Sequence, residues 1–166
     1  MHSALVHRAK GLWPEAQAEG SVTLDFEARV SQRVRLTTDH GEAILLDLPH
    51  AVVMAGGDGL RLGDGRWIAV HAAPEPVVEA HHHDPQQFAR LAWQLGNRRV
   101  PAEIRASAVR IRPDDAIEEM LIRAGAQLTK FEAPFQPEAG VYGSHGHAAH
   151  QHPVDHEHRH DRDAES

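Results

Sequence analysis

The sequence predicts an α+β protein in which an all-β unit is followed by a mixed unit and then by a disordered, histidine-rich tail. Three observations carry this prediction. Short alternating segments separated by turn signals fill residues 1–73, whereas two stretches with helical period lie between residues 84 and 125. The last segment, residues 144–166, has no aromatic side chain and a single large aliphatic one, so it cannot bury enough apolar surface to offset the entropy of ordering.

The first unit is predicted to contain two hairpins. Residues 33–38 and 43–48 alternate in polarity and flank a turn at 39–42, and residues 58–62 and 67–71 flank a turn at 63–66. Glycine in each turn supplies the positive φ that tight reversals need. Pro74 and Pro76 then interrupt the pattern, so we expect a short stiff connector and a domain boundary after residue 73.

Two helices are predicted in the second unit. The first begins with Asp84 as the cap and Pro85 at the first helical position, and it stops near Gly96. Its apolar residues at i, i+3, i+4 and i+7 are Phe88, Leu91, Ala92 and Leu95. The second begins after Pro113 with acidic residues and ends at Gly125. Its apolar residues are Ile117, Met120, Leu121 and Ala124.

Four strand-like segments accompany these helices, at residues 77–80, 100–104, 108–111 and 127–132. The order is therefore β-α-β-β-α-β. This order predicts the ferredoxin-like arrangement, in which two helices cover one face of a four-stranded antiparallel sheet. We expect this domain to span residues 74–143.

Composition narrows the classes of function. The chain has 166 residues and a formal net charge of −7, which disfavours nucleic-acid binding, and it lacks an apolar run long enough to span a membrane. No secretory signal is recognised, so a cytoplasmic location is expected. Cysteine is absent, which excludes disulfides and thiolate metal sites, so any metal must be held by nitrogen and oxygen ligands. No hydrolase or phosphate-binding motif occurs, and we predict that the protein is not an enzyme.

Histidine is the outlying residue type, with 15 copies in the chain. Seven of them, called here the tail histidines, are His145, His147, His150, His152, His156, His158 and His160. Spacing of two in a flexible segment lets several imidazoles close on one ion, and imidazole suits nickel, copper and zinc. The tail histidines are therefore the predicted metal ligands. Because imidazole binds metal only when neutral, capture should weaken below about pH 6.5.

Several segments resemble the UreE urease accessory proteins. They are residues 91–101 with Gly96-Asn97-Arg98, residues 115–121, residues 133–142, and residues 57–60 with 73–76. The resemblance implies a nickel metallochaperone with a peptide-binding-like N-terminal domain and a ferredoxin-like domain that dimerises. It also implies transfer of Ni²⁺ to the urease apoprotein through a complex with the UreG GTPase.

The sequence also departs from the family's pattern. Arg99 stands where the family has a histidine that holds the metal at the dimer axis, and a guanidinium has no lone pair for a cation. Asp115 stands where a further histidine is usual, so we expect it to be a possible auxiliary ligand, as are His81, His82 and His83. The alternative is a storage, buffering or interaction protein that has lost the central metal site.

Overall fold

The computed structural model describes residues 1–138, which form two sheets and three short α-helices. The strands are β1 (His2–Arg8), β2 (Ala18–Leu24), β3 (Val30–Thr37), β4 (Ala43–Val53), β5 (Gly59–Leu62), β6 (Trp67–Ala72), β7 (Pro74–His81), β8 (Glu103–Ile104), β9 (Ala108–Ile111) and β10 (Gln127–Pro134). The helices are α1 (Phe26–Arg29), α2 (Pro85–Asn97) and α3 (Asp115–Arg123). A single 3₁₀ turn, Glu15–Gln17, follows β1.

The first sheet has six strands in the order β2-β6-β5-β1-β4-β3. Both predicted hairpins are confirmed, because β3 pairs antiparallel with β4 and β5 pairs antiparallel with β6. Gly41 and Gly65 take φ values of +88° and +95° in the two turns, which are backbone conformations that favour glycine. β1 joins the two hairpins into one sheet, because it pairs parallel with β4 and antiparallel with β5, and β2 adds an edge strand parallel to β6.

This first unit is dominated by strands but is not purely β. One helical turn, α1, separates β2 from β3, and its Asp25 cap accepts a hydrogen bond from the Ala28 amide at 2.9 Å. A single turn has no apolar periodicity to read, and for that reason the sequence patterns did not predict it.

The second sheet has the order β10-β7-β9-β8 and is antiparallel throughout. The predicted element order β-α-β-β-α-β is confirmed. Both helices lie on one face, where their apolar side chains share a core with β7 and β9. The fully buried members of that core are Val78, Ala80, Leu91, Leu95, Val109, Ile111 and Leu121.

Several strand boundaries differ from the prediction, and at two of them proline is involved. Pro74 and Pro76 belong to β7 and pair with β10, so they do not form a free connector. Proline is tolerated there because β9 pairs only with residues Val78 to His81 of β7, which leaves the proline end as an edge. In contrast, β8 is only two residues long, because Val100 takes part in the end of α2 and Pro101 has no amide to donate.

Candidate functional site

The end of α2 places Arg99 in an unusual backbone conformation. Among residues 1–138 it is the one non-glycine with positive φ, at 56°. The Arg99 amide donates to the Gly96 carbonyl and the Val100 amide to the Leu95 carbonyl, both at 3.0 Å, which is the Schellman pattern. The sequence predicts that this helix stops near Gly96, but α2 continues through Asn97. An exposed arginine therefore takes the position that glycine usually fills.

A groove runs between α2 and α3 beside this helix end. It has a volume of about 610 Å³, and its lining includes Trp93, Gln94, Asn97, Arg98, Met120 and Arg123. Trp93 is 68% exposed and Ile122 is 59% exposed, so the two helices present apolar surface to solvent. Large exposed apolar side chains on a helix surface are candidates for contact with a partner.

Asp115 lies at the first position of α3 and its side chain is exposed. Asp114 caps this helix by accepting from the Ile117 amide at 3.0 Å, which leaves the Asp115 carboxylate free of that role. Lys130 donates to buried Glu118 at 2.6 Å, and this bond, with a smaller contribution from Asp115, raises the pKa of Lys130. A lysine ammonium near Asp115 opposes cation binding there, so the structure offers this carboxylate little support as a ligand.

The three consecutive histidines turn the corner between β7 and α2, and they do not point the same way. The rings of His81 and His83 contact each other edge to face, with centroids 4.9 Å apart. The ring of His82 lies near Gly125, and its Nδ1 accepts from the Asp84 amide at 3.0 Å. The corner therefore offers a pair of neighbouring imidazoles and a third that is used structurally.

Within residues 1–138, no group of three or more His, Asp or Glu side chains is arranged to hold a metal ion. The tail histidines lie outside the described residues. The predicted site residues that the structure does describe, Arg99, Asp115 and the 81–83 corner, thus do not converge on one complete site.

A cluster of hydrogen bonds around the buried Asp58 accounts for the presence of the Gly57-Asp58-Gly59 segment in the first unit. Asp58 is 4% exposed, and its carboxylate accepts from the amides of Lys10 and Ala55 and faces His7 Nε2 at 2.7 Å. Burial raises the pKa of Asp58, but the bonds from His7 and the two amides outweigh it, so its pKa is lowered overall. The flanking Gly59 lies under Trp13, where a Cβ would come within 2.4 Å of the indole. The segment is therefore structural.

Sequence reasoning missed the contact that joins the two sheets. Arg29 is 1% exposed, and its guanidinium donates to the carbonyls of Leu24, Met54 and Phe135. The Phe135 ring packs edge to face on Phe26 at 5.3 Å. In the sequence, Arg29 is a single arginine in a short helical turn. No local pattern predicts that it contacts Phe135, which lies 106 positions later.

Two further hydrogen bonds flank this contact between the two sheets. The Phe26 amide donates to Glu75 Oε2 at 2.7 Å, and the Gly56 amide donates to Gln136 Oε1 at 2.8 Å. Burial lowers the pKa of the Arg29 guanidinium, although the nearby carboxylate of Glu75 partly offsets it. The segment that follows β10 is thus bonded to the first unit before the described residues end.

Comparison with known proteins supplies the family. The family model of the UreE N-terminal domain matches residues 2–73, and that of the UreE C-terminal domain matches residues 75–161. A urease accessory protein UreE from Rhodopseudomonas palustris (strain HaA2) is 48% identical over 139 residues, which are 83% of this chain and 64% of the relative. One from Chelativorans sp. (strain BNC1) is 45% identical over 144 residues, 87% of this chain and 91% of the relative.

The chain thus spans slightly less than two thirds of several relatives that it matches, including one from Bradyrhizobium sp. (strain BTAi1 / ATCC BAA-1182) at 66%. These relatives are named as urease accessory proteins, and their names describe no enzyme. Within residues 1–138, no helix is long and apolar enough to cross a membrane. With both family domains matched in order along the sequence, the chain belongs to the UreE family of urease accessory proteins.

Proposed function

We propose that this protein is a nickel metallochaperone that delivers Ni²⁺ to the urease apoprotein through a complex with the UreG GTPase. The observation that carries the proposal is the family match over both domains, together with seven histidines between residues 145 and 160 in a chain without cysteine. Imidazole is a ligand that suits nickel and also copper and zinc. The metal is the protein's cargo, and the protein acts in the cytoplasm.

The proposed metal ligands are the tail histidines, with the corner 81–83 as the auxiliary candidate and Asp115, near the Lys130 ammonium, as a weaker one. Ligands in a segment that must be ordered on binding lose conformational freedom, which lowers affinity and allows transfer to a better organised site. Such reversibility is what delivery requires. In this assignment residues 1–73 are the peptide-binding-like domain, 74–143 the ferredoxin-like domain and 144–166 the tail.

We further propose that the protein acts as a homodimer. The exposed Trp93 and Ile122 on α2 and α3 support this, because burial of such side chains against a second copy removes apolar surface from water. Arg99 would occupy the position at the dimer axis. A permanently charged guanidinium there repels a cation, so metal handling would shift to the tail.

A second candidate function is storage or buffering of metal, or a purely interacting role in the urease maturation complex. Two observations favour it: Arg99 replaces the expected histidine, and residues 1–138 hold no group of three or more metal-ligating side chains. The two candidates differ in whether partner binding depends on nickel and on the tail.

The test compares the full-length protein with a full-length variant, here called the tail variant, in which all seven tail histidines are changed to Asn. Calorimetric titration with NiCl₂ measures capture, and urease activation with UreG and the apoprotein present measures delivery. A variant with His40→Asn and His50→Asn, both exposed in the first unit, is the matched control.

Loss of the nickel equivalents that the tail binds, together with loss of urease activation, in the tail variant alone supports delivery by the tail. If the tail variant still activates urease as well as the wild type does, the proposed role of the tail is wrong. UreG binding that is equal with and without nickel, in both proteins, favours the interacting role.

A further inference from the structure

The corner between β7 and α2 carries two imidazoles on one side of the chain. His81 is the last residue of β7 and His83 follows two positions later, and successive side chains of an extended segment alternate in direction. The two rings are accordingly in contact, with centroids 4.9 Å apart and planes at 87°. His81 is half-buried and His83 is exposed.

This separation, which is also that of ordinary edge-to-face rings, is compatible with a shared metal ion. Two imidazoles bound to one ion at about 2.0–2.1 Å, with a ligand–metal–ligand angle of about 90–109°, have centroids about 4.5–5.2 Å apart. The observed 4.9 Å falls in that interval. The rings are edge to face, so the exposed His83 side chain has to rotate before one nitrogen of each ring can bind the same ion.

His82 is not available for the same ion. Its Nδ1 accepts a hydrogen bond from the Asp84 amide, so in the neutral ring the proton resides on Nε2 and no lone pair remains for a metal. Its Nε2 also lies close to Gly125, with 3.2 Å to the point where a Cβ would be placed. The chain therefore separates two candidate ligands from one structural histidine within three consecutive positions.

The residues that flank His81 in the sheet are compatible with a bound cation. In the sheet, His81 is opposite Ala108 on one side and Gln127 on the other, and neither brings a positive charge. Ala108 also lines an open groove of about 500 Å³ with Glu79, Ser107 and Arg105, and the Arg105 guanidinium donates to Glu103. Arg110 lies two residues farther along β9, and its guanidinium forms a salt bridge with Glu79 Oε2 at 3.0 Å.

The α2 N-terminus carries partial positive charge, which would oppose a cation at this corner. Asp84 reduces that effect, because its carboxylate caps the helix by accepting from the Gln86 amide at 2.8 Å and the Gln87 amide at 3.4 Å. Its negative charge lies one residue from His83, so the local field does not exclude a divalent ion.

We propose that His81 and His83 form a second transition-metal site, located on the folded part of the chain and separate from the tail. The site takes one borderline divalent cation such as Ni²⁺ or Cu²⁺ through two imidazole nitrogens, and water fills the remaining positions. It deepens the proposed function, in which the corner is an auxiliary candidate, by assigning two of its three histidines. Because it needs neither the tail nor Arg99, its failure is distinguishable from failure of delivery by the tail.

The test uses full-length protein in the tail variant background, so that the tail histidines do not mask the corner. Titration with CuCl₂ or NiCl₂ alone is followed by calorimetry, and nitrogen couplings in the Cu²⁺ electron paramagnetic resonance spectrum count the bound imidazoles. His81→Asn and His83→Asn remove one proposed ligand each, and His82→Asn is the matched control from the same loop.

We expect one equivalent of metal per chain, with two coordinated nitrogens. Either His81→Asn or His83→Asn should weaken binding by about tenfold or more, because a chelate becomes a single contact, whereas His82→Asn should leave the affinity unchanged. The proposal is overturned if the tail variant binds no metal, or if all three substitutions have equal effects. Because His83 is exposed, His83→Asn keeps the test independent of folding, and unchanged thermal unfolding of the metal-free protein verifies this.

Discussion

Arg99 occupies, at the end of α2, the backbone position that Gly125 occupies at the end of α3. Both residues have positive φ, 56° and 87°, and both lie two positions after the last helical residue. The hydrogen bonds also correspond, since the amides of Val100 and Ala126 each donate to a carbonyl five residues earlier at 3.0 Å. One helix thus ends with the residue that fits this conformation and the other with a residue that is strained in it.

The first prediction concerns this strain. Arg99→Gly should raise the free energy of unfolding by about 1 kcal/mol, because glycine adopts a left-handed conformation without the clash of a Cβ. Arg99 makes no hydrogen bond or ion pair through its side chain within residues 1–138, so little is lost on its removal. Urea unfolding monitored by circular dichroism gives the difference.

The reverse change at α3 is the control. Gly125→Ala should lower the free energy of unfolding by at least about 1 kcal/mol, because alanine is strained at φ +87° and its Cβ meets His82 Nε2 at 3.2 Å. If Arg99→Gly instead destabilises the protein, the side chain of Arg99 contributes more than its backbone conformation costs.

The second prediction concerns the contact between the two sheets. Arg29→Ala should lower the free energy of unfolding by about 3–5 kcal/mol, because it leaves the carbonyls of Leu24, Met54 and Phe135 without their donor and opens a cavity beside Phe26. Chemical denaturation measures the loss.

Arg33→Ala is the matched control for Arg29, since Arg33 lies on the next strand, is 70% exposed and has an acidic neighbour only at 3.7 Å. Its removal should change stability by less than about 0.5 kcal/mol. Equal effects of the two substitutions would contradict the structural role assigned to Arg29.

Local patterns predicted the elements that local chemistry determines. The Asp84 cap of α2 and the Asp114 cap of α3 accept the amide hydrogen bonds that their residue types favour, and the Gly41 turn has the expected φ. The contact of Arg29 with Phe135 could not be predicted in this way, because it depends on how two sheets pack and not on a nearby pattern.

For the candidate site the sequence identified residue types but not their roles. In the sequence, His81, His82 and His83 cannot be distinguished from one another. The backbone path of the corner brings the rings of His81 and His83 together and places His82 where it accepts from the Asp84 amide. The positive φ of Arg99 could not be predicted either, because glycine and asparagine, here Gly96 and Asn97, are the residue types that normally adopt a positive φ at a helix end. The tail assignment stays a prediction, as it lies outside the described residues.

The third prediction concerns pH. Hydrogen bonds lower the pKa of Asp58 in the folded protein, so its contribution to stability is complete above the unfolded pKa of about 3.9 and is lost as the pH falls through the lower folded value. Asp58→Asn should reduce the free energy of unfolding by about 2 kcal/mol at pH 7, because an amide cannot replace a carboxylate that accepts from Lys10, Ala55 and His7.

The same substitution should flatten the decline of stability in acid, and urea unfolding measured from pH 7 down to about pH 3 reports both effects. Asp47→Asn is the control, since it removes a carboxylate from the same sheet whose side chain is 42% exposed. A wild-type slope in Asp58→Asn would show that other carboxylates govern the acid sensitivity.

The last prediction concerns metal at Arg99. In the tail variant, Arg99→His should raise nickel affinity, because it exchanges a permanently charged guanidinium for an imidazole with a free lone pair. The positive φ is kept, and histidine tolerates it better than most residues do, so the fold should be unaffected. NiCl₂ calorimetry with the mass of the complex determined in parallel would show about one added ion per dimer.

Arg98→His, one residue earlier and also exposed, is the control for a histidine placed merely nearby. If Arg99→His and Arg98→His bind nickel equally, position 99 does not face a shared axis.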